Sequence, residues 1–166
     1  MIRNRLYVWG DGTYGEIGED KGSEMISTDT PIKMAFFDNK DIKVHSISAG
    51  GRHSIVIDTE GNMYSFGDNS TGQLGWLELR QSHPIKIDNN FETMVVFSGI
   101  THNIAKAKDG RLYSWGGDSK FKSSNKKGTS LIRYMYELKG KRTSNIHLSE
   151  NNTIIISHLK IFVNTK

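Results

Sequence analysis

The sequence predicts an all-β protein built from four-stranded antiparallel units that repeat about every 50 residues. Three observations support this prediction. A Tyr-x-aromatic-Gly strand recurs, a Gly-x-x-His motif recurs at the same spacing, and glycine-containing turns separate short runs of β-branched and aromatic residues. No stretch combines a helical period of apolar residues with capping residues, so little helix is expected.

The first marker is a strand that recurs four times and begins at Leu6, Met63, Leu112 and Ile161, which are 57, 49 and 49 residues apart. The last copy, Ile161–Thr165, lacks the aromatic-glycine ending. We expect the aromatic residue of the other copies to pack between neighbouring units, and the glycine to start a turn. These pairs are Trp9-Gly10, Phe66-Gly67 and Trp115-Gly116.

The second marker is a histidine that follows a glycine by three residues. His53 follows Gly50, and His102 follows Gly99, again at a spacing of 49 residues. Small residues allow close approach of neighbouring backbones along an inner strand. We expect each histidine to donate a hydrogen bond to a carbonyl of an adjacent strand, which makes these positions structural.

Both prolines of the chain, Pro31 and Pro84, occupy a third repeated position. The three markers predict one partial propeller over residues 1–166, with a separate outer strand and loop at 1–30. Its units are predicted at 31–83, 84–129 and, more degenerate, 130–166. The predicted strands are Pro31–Phe36, Ile42–Ala49, Ser54–Thr59 and Asn62–Gly67, then Pro84–Asp88, Met94–Gly99, Asn103–Lys108 and Arg111–Gly116, then Ser130–Leu138, Ser144–Ser149, Thr153–His158 and Lys160–Thr165.

Four-stranded units at this period are typical of a β-propeller, whose closed forms have roughly 4–8 blades. About three units and one additional strand, Leu6–Gly10, therefore predict a partial ring. Three interpretations remain open: a fragment of a larger ring, an open arc, or a chain that completes its ring with another chain. The additional strand needs a neighbour, because a lone strand leaves backbone donors and acceptors unpaired.

Composition argues against most enzyme classes. The 166 residues include no cysteine, which excludes disulfides, cysteine-based zinc sites and thiol catalysis. The six histidines never occur at close ligand spacing, and the Gly10-x-Gly12-x-x-Gly15 spacing is not followed by a helical pattern. We expect no cofactor, no metal and no catalytic residue. We also expect no membrane partner and a location in the nucleus or cytoplasm, because the longest apolar runs are short and no signal peptide is evident.

Positive charge is concentrated in one window. The net charge is +4, yet residues 120–143 hold eight basic residues and one acid, which leaves 14 basic and 17 acidic residues elsewhere. This window is either a solvated loop or a patch for an acidic protein or phosphate groups, with nucleic acid or chromatin only weakly supported. The candidate patch comprises Lys120, Lys122, Lys126, Lys127, Lys139, Lys141 and Arg142.

The turn after the aromatic-glycine pair carries a family resemblance. Phe66–Gly75 reads Phe-Gly-Asp-Asn-Ser-Thr-Gly-Gln-Leu-Gly, and Trp9–Gly18 is nearly the same. Together with Gly-x-x-His-Ser, this motif resembles the regulator of chromosome condensation repeat, strongly over residues 6–116 and weakly over 117–166. The resemblance implies seven-bladed β-propeller architecture, here in a short member.

The same resemblance implies a function. Members of the family bind other proteins, which favours a non-catalytic binding or scaffold role. The alternative is a guanine-nucleotide exchange factor for a small GTPase of the Ran type, associated with chromatin. In that mechanism a loop-bearing face opens the nucleotide site of the GTPase without covalent chemistry.

Overall fold

The computed structural model describes residues 5–21, 24–76, 79–117, 133–134, 143–148, 152–157 and 161–165. Within these ranges the chain forms fifteen strands and one five-residue helix, so the all-β prediction is confirmed. The elements are β1 (Tyr7–Gly10), β2 (Asp20–Lys21), β3 (Glu24–Met25), β4 (Thr28–Lys33), α1 (Ala35–Asn39), β5 (Val44–Ala49), β6 (His53–Asp58), β7 (Met63–Asp68), β8 (Arg80–Lys86), β9 (Thr93–Ser98), β10 (His102–Ala107), β11 (Leu112–Gly116), β12 (Arg133–Tyr134), β13 (Thr143–Leu148), β14 (Asn152–Ser157) and β15 (Ile161–Thr165).

Two complete four-stranded antiparallel sheets form the centre of the described structure. The first blade has the strand order β5-β6-β7-β8, and the second blade has the order β9-β10-β11-β12. A three-stranded sheet, β13-β14-β15, follows them, and the pair β1-β4, here called the leading pair, precedes them. These sheets form a partial propeller ring.

The sheets group the strands differently from the prediction. The strands predicted to open each unit at Pro31, Pro84 and Ser130 instead close the preceding sheet: β4 pairs with β1, β8 with β7, and β12 with β11. The predicted unit boundaries at 31–83, 84–129 and 130–166 are therefore displaced by one strand. Sequence order alone does not reveal this offset, because an outer strand is adjacent in sequence to two sheets.

The additional strand at the start is not isolated. β1 pairs antiparallel with β4, with Tyr7 opposite Lys33 and Val8 opposite Ile32.

The first predicted strand ends earlier than expected. It was predicted to extend to Phe36, but Ala35–Asn39 form helix α1. Phe37 is buried on this helix and contacts the Tyr64 ring edge-on at 5.4 Å. The helix thus covers the outer part of the first blade.

Two junctions between successive sheets each contain one hydrophobic cluster of described residues. Between the leading pair and the first blade, buried side chains pack with Leu6 and Val8; these are Met34, Phe37, Val44, Val56, Tyr64 and Phe66. Between the first and second blades, the cluster comprises Ile55, Ile57, Met63, Ile87, Val96, Ala105, Ala107, Tyr113 and Trp115. The core therefore consists of layers between blades, and apolar burial there is what holds neighbouring blades together.

Trp115→Ala is expected to lower the free energy of unfolding by about 3–5 kcal/mol, as for other large aromatic truncations in a core. Only 3 % of Trp115 is exposed, and its removal leaves a cavity in the second cluster. Trp9→Ala is the matched control, since Trp9 is 61 % exposed; a change within about 0.5 kcal/mol is expected. Urea titrations measure the free energy of unfolding of both variants. Equal losses of stability would contradict the placement of Trp115 in the core and of Trp9 on the surface.

Candidate interaction surface

Two turns link neighbouring sheets and have the same backbone structure. Each is closed by hydrogen bonds from two glycines, so both are called glycine-bounded turns here. The turn over residues 12–18 follows β1, and the turn over residues 69–75 follows β7. In each, two consecutive N–H···O=C bonds close the chain between residues three apart, at 2.8–3.2 Å. The donors all have positive φ, between 75° and 87°, which only glycine adopts at low cost; they are Gly15, Gly18, Gly72 and Gly75.

The residue that follows the central glycine of each turn, Glu16 or Gln73, also closes the turn with its own side chain. Oε2 of Glu16 accepts a hydrogen bond from the backbone N–H of Tyr14 at 2.7 Å. Oε1 of Gln73 accepts the equivalent bond from Thr71 at 2.9 Å. Partial burial raises the pKa of Glu16, and nothing comparable applies to a neutral glutamine. Glutamine or glutamate is therefore needed here for its acceptor oxygen.

The backbone carbonyl of the same residue joins the turn to the next sheet. The Ser54 hydroxyl donates to the Glu16 carbonyl at 2.9 Å, and the Asn103 side-chain amide donates to the Gln73 carbonyl at 2.8 Å. Trp115 Nε1–H donates to that Gln73 carbonyl as well, at 3.0 Å. Each turn thus fixes the position of the following blade.

The glycine that ends each turn makes room for the aromatic residue of the next sheet. A Cβ atom on Gly18 would lie 2.7 Å from the Phe66 ring, whereas a Cβ on Gly75 would lie 3.4 Å from the Trp115 indole nitrogen. Both aromatic side chains are buried. The equivalent side chain of β1, Trp9, is exposed, so the expectation that it packs between blades is wrong for the described structure.

His53 connects the two blades through a side chain. Its Nε2 lies 2.8 Å from Oδ1 of Asn103, the residue that also reaches the Gln73 carbonyl. The partner is thus a side-chain amide, where the sequence predicts a backbone carbonyl. Gly50 is required beside this ring, because a Cβ there would lie 2.1 Å from it. Burial lowers the pKa of His53, so the ring is neutral at pH 7.

The remaining predicted repeat positions lie at matching places in the strands. His53 pairs with Gly67, and His102 pairs with Gly116, so the two histidines share one register. The glycines that follow the aromatic residues, Gly10, Gly67 and Gly116, have φ of 115°, 114° and 85°. The Gly50 and Gly99 amides donate to the His53 and His102 carbonyls, each at 2.8 Å.

The predicted basic patch cannot be located in the structure. Lys120, Lys122, Lys126, Lys127, Lys139, Lys141 and Arg142 all lie outside the described residues. Its role therefore stays a prediction.

A cluster that sequence reasoning missed lies at the end of the sheets where the glycine-bounded turns are found. The Arg52 guanidinium stands 4.1 Å from the centre of the Tyr14 ring, and that of Arg80 stands at 5.6 Å. At the next junction, the positions of Tyr14 and Arg52 are taken by Thr71 and Thr101. The sequence could have revealed this cluster through this departure from the repeat, because large side chains occupy positions where the fold accepts small ones.

The opposite end of the first blade has a cavity of about 300 Å³ between the β6–β7 turn and the β8–β9 connection. Carboxylates of Glu60, Asp88 and Glu92 line it together with Phe91, which stacks on Tyr113 at 3.8 Å. Within the described ranges, no three His, Asp or Glu side chains come together as metal ligands. Nor do those ranges contain a helix with the length and hydropathy needed to cross a membrane.

These observations define the class of the protein: a partial β-propeller whose blades are joined by glycine-bounded turns. Residues 3–57 and 44–73 match the family described as the regulator of chromosome condensation (RCC1) repeat. The chain belongs to this repeat family, as the resemblance of its motifs predicted.

Known proteins of the family are several times longer than the segment that this chain matches. The Ultraviolet-B receptor UVR8 of Arabidopsis thaliana is 32 % identical over 114 residues, which are 67 % of this chain and 25 % of the receptor. The Regulator of chromosome condensation of Drosophila melanogaster is 29 % identical over 118 residues, 69 % of this chain and 20 % of that protein. The chain thus spans about a quarter or less of these relatives.

A solved structure gives the same fold. Prp20p of Saccharomyces cerevisiae superposes with a TM-score of 0.76 at 18 % identity, covering 96 % of this chain and 41 % of that one. At this identity the likeness concerns the fold alone.

Gly18→Ala is expected to destabilise the protein more than Gly110→Ala. Both glycines have positive φ, at 75° and 85°, so each alanine costs about 1–2 kcal/mol in backbone strain. At Gly18 the new methyl also clashes with Met34 and Phe66, which adds about 1–3 kcal/mol, whereas nothing lies within 4 Å at Gly110. Chemical denaturation of both variants measures the difference; equal costs would show that Gly18 does not pack against Phe66.

Stability is expected to fall as the pH drops below 6.5, partly through His53. Its pKa in the folded chain lies below the ordinary value of 6.5, so the unfolded chain binds the proton first as the pH decreases. Unfolding free energies between pH 7.5 and 5.5 measure this slope for the wild type and for His53→Asn. A shallower slope in the variant is expected, and an unchanged slope would assign the dependence to other groups.

Proposed function

We propose that this protein is a non-catalytic protein-interaction module that binds its partner at the end of the sheets carrying Tyr14, Arg52 and Arg80. The observation that carries this proposal is the departure of Tyr14 and Arg52 from the repeat. The backbone around them is the same at both junctions: Asp68 N–H donates to the Arg52 carbonyl at 2.8 Å, and Gly117 N–H donates to the Thr101 carbonyl at 2.7 Å. The fold therefore requires neither the arginine nor the tyrosine.

The chemistry of this cluster favours an acidic protein surface as the partner. Arginine binds carboxylates through two parallel hydrogen bonds, and tyrosine and arginine are common among residues that dominate binding energy. Arg52 and Arg80 are exposed, and the ring of Tyr14 orients their guanidinium groups. A pre-oriented side chain loses less conformational entropy on binding.

The carboxylate of Asp11, beside the cluster, restricts which partner fits. Asp11 accepts hydrogen bonds from Thr13 and Ser27, and the Thr13 bonds are the main reason its pKa is lowered. It therefore stays charged at pH 7, close to Arg52. A partner must place its acidic group over the arginines and a neutral or basic group near Asp11, which makes recognition orientation-specific.

The named properties of relatives support protein binding as the function. One relative, the human X-linked retinitis pigmentosa GTPase regulator, is 30 % identical over 120 residues. Prp20p, which shares the fold, binds Gsp1p and histones. The second candidate function is therefore nucleotide exchange on a Ran-type GTPase with chromatin association, in the nucleus or cytoplasm. For this second candidate function, the basic window at residues 120–142 is the proposed contact for anionic groups of the partner.

Replacing both arginines, in Arg52→Gln/Arg80→Gln, is expected to weaken partner binding by about tenfold or more, or about 1.4 kcal/mol. Quantitative affinity capture with mass spectrometry compares this variant with Arg111→Gln, a matched control. Arg111 is also exposed but pairs with Asp109 in the turn at the opposite end of the second blade. Partners retained by the double variant, or lost equally from the control, would contradict the proposed surface.

Two further experiments distinguish the two candidate functions. Release of labelled GDP from Ran, with and without the chain, tests exchange activity directly, and acceleration would favour the second candidate. Replacement of Lys120, Lys122, Lys126 and Lys127 by serine tests the basic window. Binding that loses its salt dependence in this variant but not in Arg52→Gln/Arg80→Gln would place the acidic partner on the window.

A further inference from the structure

The loop that joins β9 to β10 presents an apolar side chain at the end of the sheets that carries the arginine cluster. The loop consists of residues 99–101, and the hydroxyl of Thr71, in a glycine-bounded turn at that end, donates to the Thr101 carbonyl at 3.4 Å. Ile100, in the middle of the loop, is 42 % exposed. An aliphatic side chain therefore lies on the same end of the molecule as Arg52.

Ile100 rests against the loop that carries Arg52. The Gly51 N–H donates to the Ile100 carbonyl at 3.2 Å. A Cβ atom on Gly51 would lie 3.0 Å from Cγ2 of Ile100, closer than carbon atoms pack at their optimal separation. Glycine at position 51 thus makes room for the isoleucine, and this contact supports one side of Ile100 before any partner binds.

The two loops depart from the repeat together. Gly51 and Arg52 in the first blade stand where Ile100 and Thr101 stand in the second, 49 residues further on. The backbone that flanks both loops is the same, because the glycine that precedes each loop closes it with an N–H···O=C bond of 2.8 Å. The fold therefore accepts glycine or isoleucine at one position and arginine or threonine at the next.

Three consecutive sheets contribute to this surface. Tyr14 follows the leading pair, Arg52 precedes strand β6 of the first blade, and Ile100 precedes strand β10 of the second. The Arg52 guanidinium stands over the Tyr14 ring on one side, and the residue before Arg52 contacts Ile100 on the other. A cation and an aliphatic side chain are thus offered next to each other.

We propose that Ile100 determines the specificity of this surface, and that its partner is a peptide segment that combines an acidic residue with a nearby apolar residue. The carboxylate binds Arg52, and the apolar side chain packs on Ile100. This inference rests on the proposed function and names the chemistry of the partner.

Two physical effects favour such a segment over a run of acidic residues. An apolar contact beside the ion pair excludes water, and a charge pair is stronger where the effective dielectric constant is lower. Asp11 lies close enough to Arg52 to interact with it electrostatically, so a second carboxylate of the partner on that side is repelled. The surface therefore selects one acid with an apolar neighbour.

The experiment uses a phage-displayed library of random short peptides. The library is first depleted on Arg52→Gln/Arg80→Gln and then selected on the complete wild-type chain. Enriched peptides are expected to combine an acidic with an apolar residue. Fluorescence polarisation of the synthesised peptides is expected to show binding about fivefold weaker or more for Ile100→Ser, and within about twofold of wild type for Ile100→Leu.

Met94→Ser is the matched control. Met94 is 53 % exposed and lies on β9, the strand that leads to Ile100, but near its other end. Peptide binding by this variant is expected to equal that of the wild type. An equal loss in Met94→Ser and Ile100→Ser would contradict a specific contact with Ile100.

The outcomes distinguish this inference from the proposed function. If depletion leaves no peptide that binds the wild-type chain, both fail. Peptides that need the arginines but bind Ile100→Ser as tightly as wild type would overturn only the role of Ile100. Enrichment of acidic residues without an apolar neighbour would have the same meaning, whereas enrichment of peptides without an acid would contradict both.

Discussion

The arrangement of the blades depends on one carbonyl group in each glycine-bounded turn. The Gln73 carbonyl accepts from both Asn103 and Trp115, and Asn103 is bonded in turn to His53. These groups are buried, so leaving any one of them unpaired would cost the desolvation energy that the bond offsets. The turn therefore determines both the distance and the angle between one blade and the next.

The same constraint separates structural positions from those free to acquire a function. Glycines at the turn, the acceptor oxygen of Glu16 or Gln73, and the buried aromatic side chain are required by packing. Tyr14 and Arg52 are not, since Thr71 and Thr101 occupy their places at the next junction. In a repeat protein a departure from the repeat is thus more informative about binding than agreement with it.

Trp9 shows that the repeat pattern fixes the backbone of a residue but not what covers its side chain. It has the sequence and the backbone of a residue that packs between blades, yet most of its surface is exposed.

The sequence by itself determined the fold class, the period, the turns and most strand positions, because local chemistry dictates each of them. Glycine is needed at positive φ, alternating apolar residues form half-buried strands, and the spacing of His53 and His102 reproduces their shared register. Tertiary structure alone decided which sheet each outer strand joins, that Asn103 is the partner of His53, and that Trp9 is exposed while Trp115 is not. These outcomes depend on contacts between residues about 20 to 50 positions apart, and a local pattern carries no information about which distant neighbour is present.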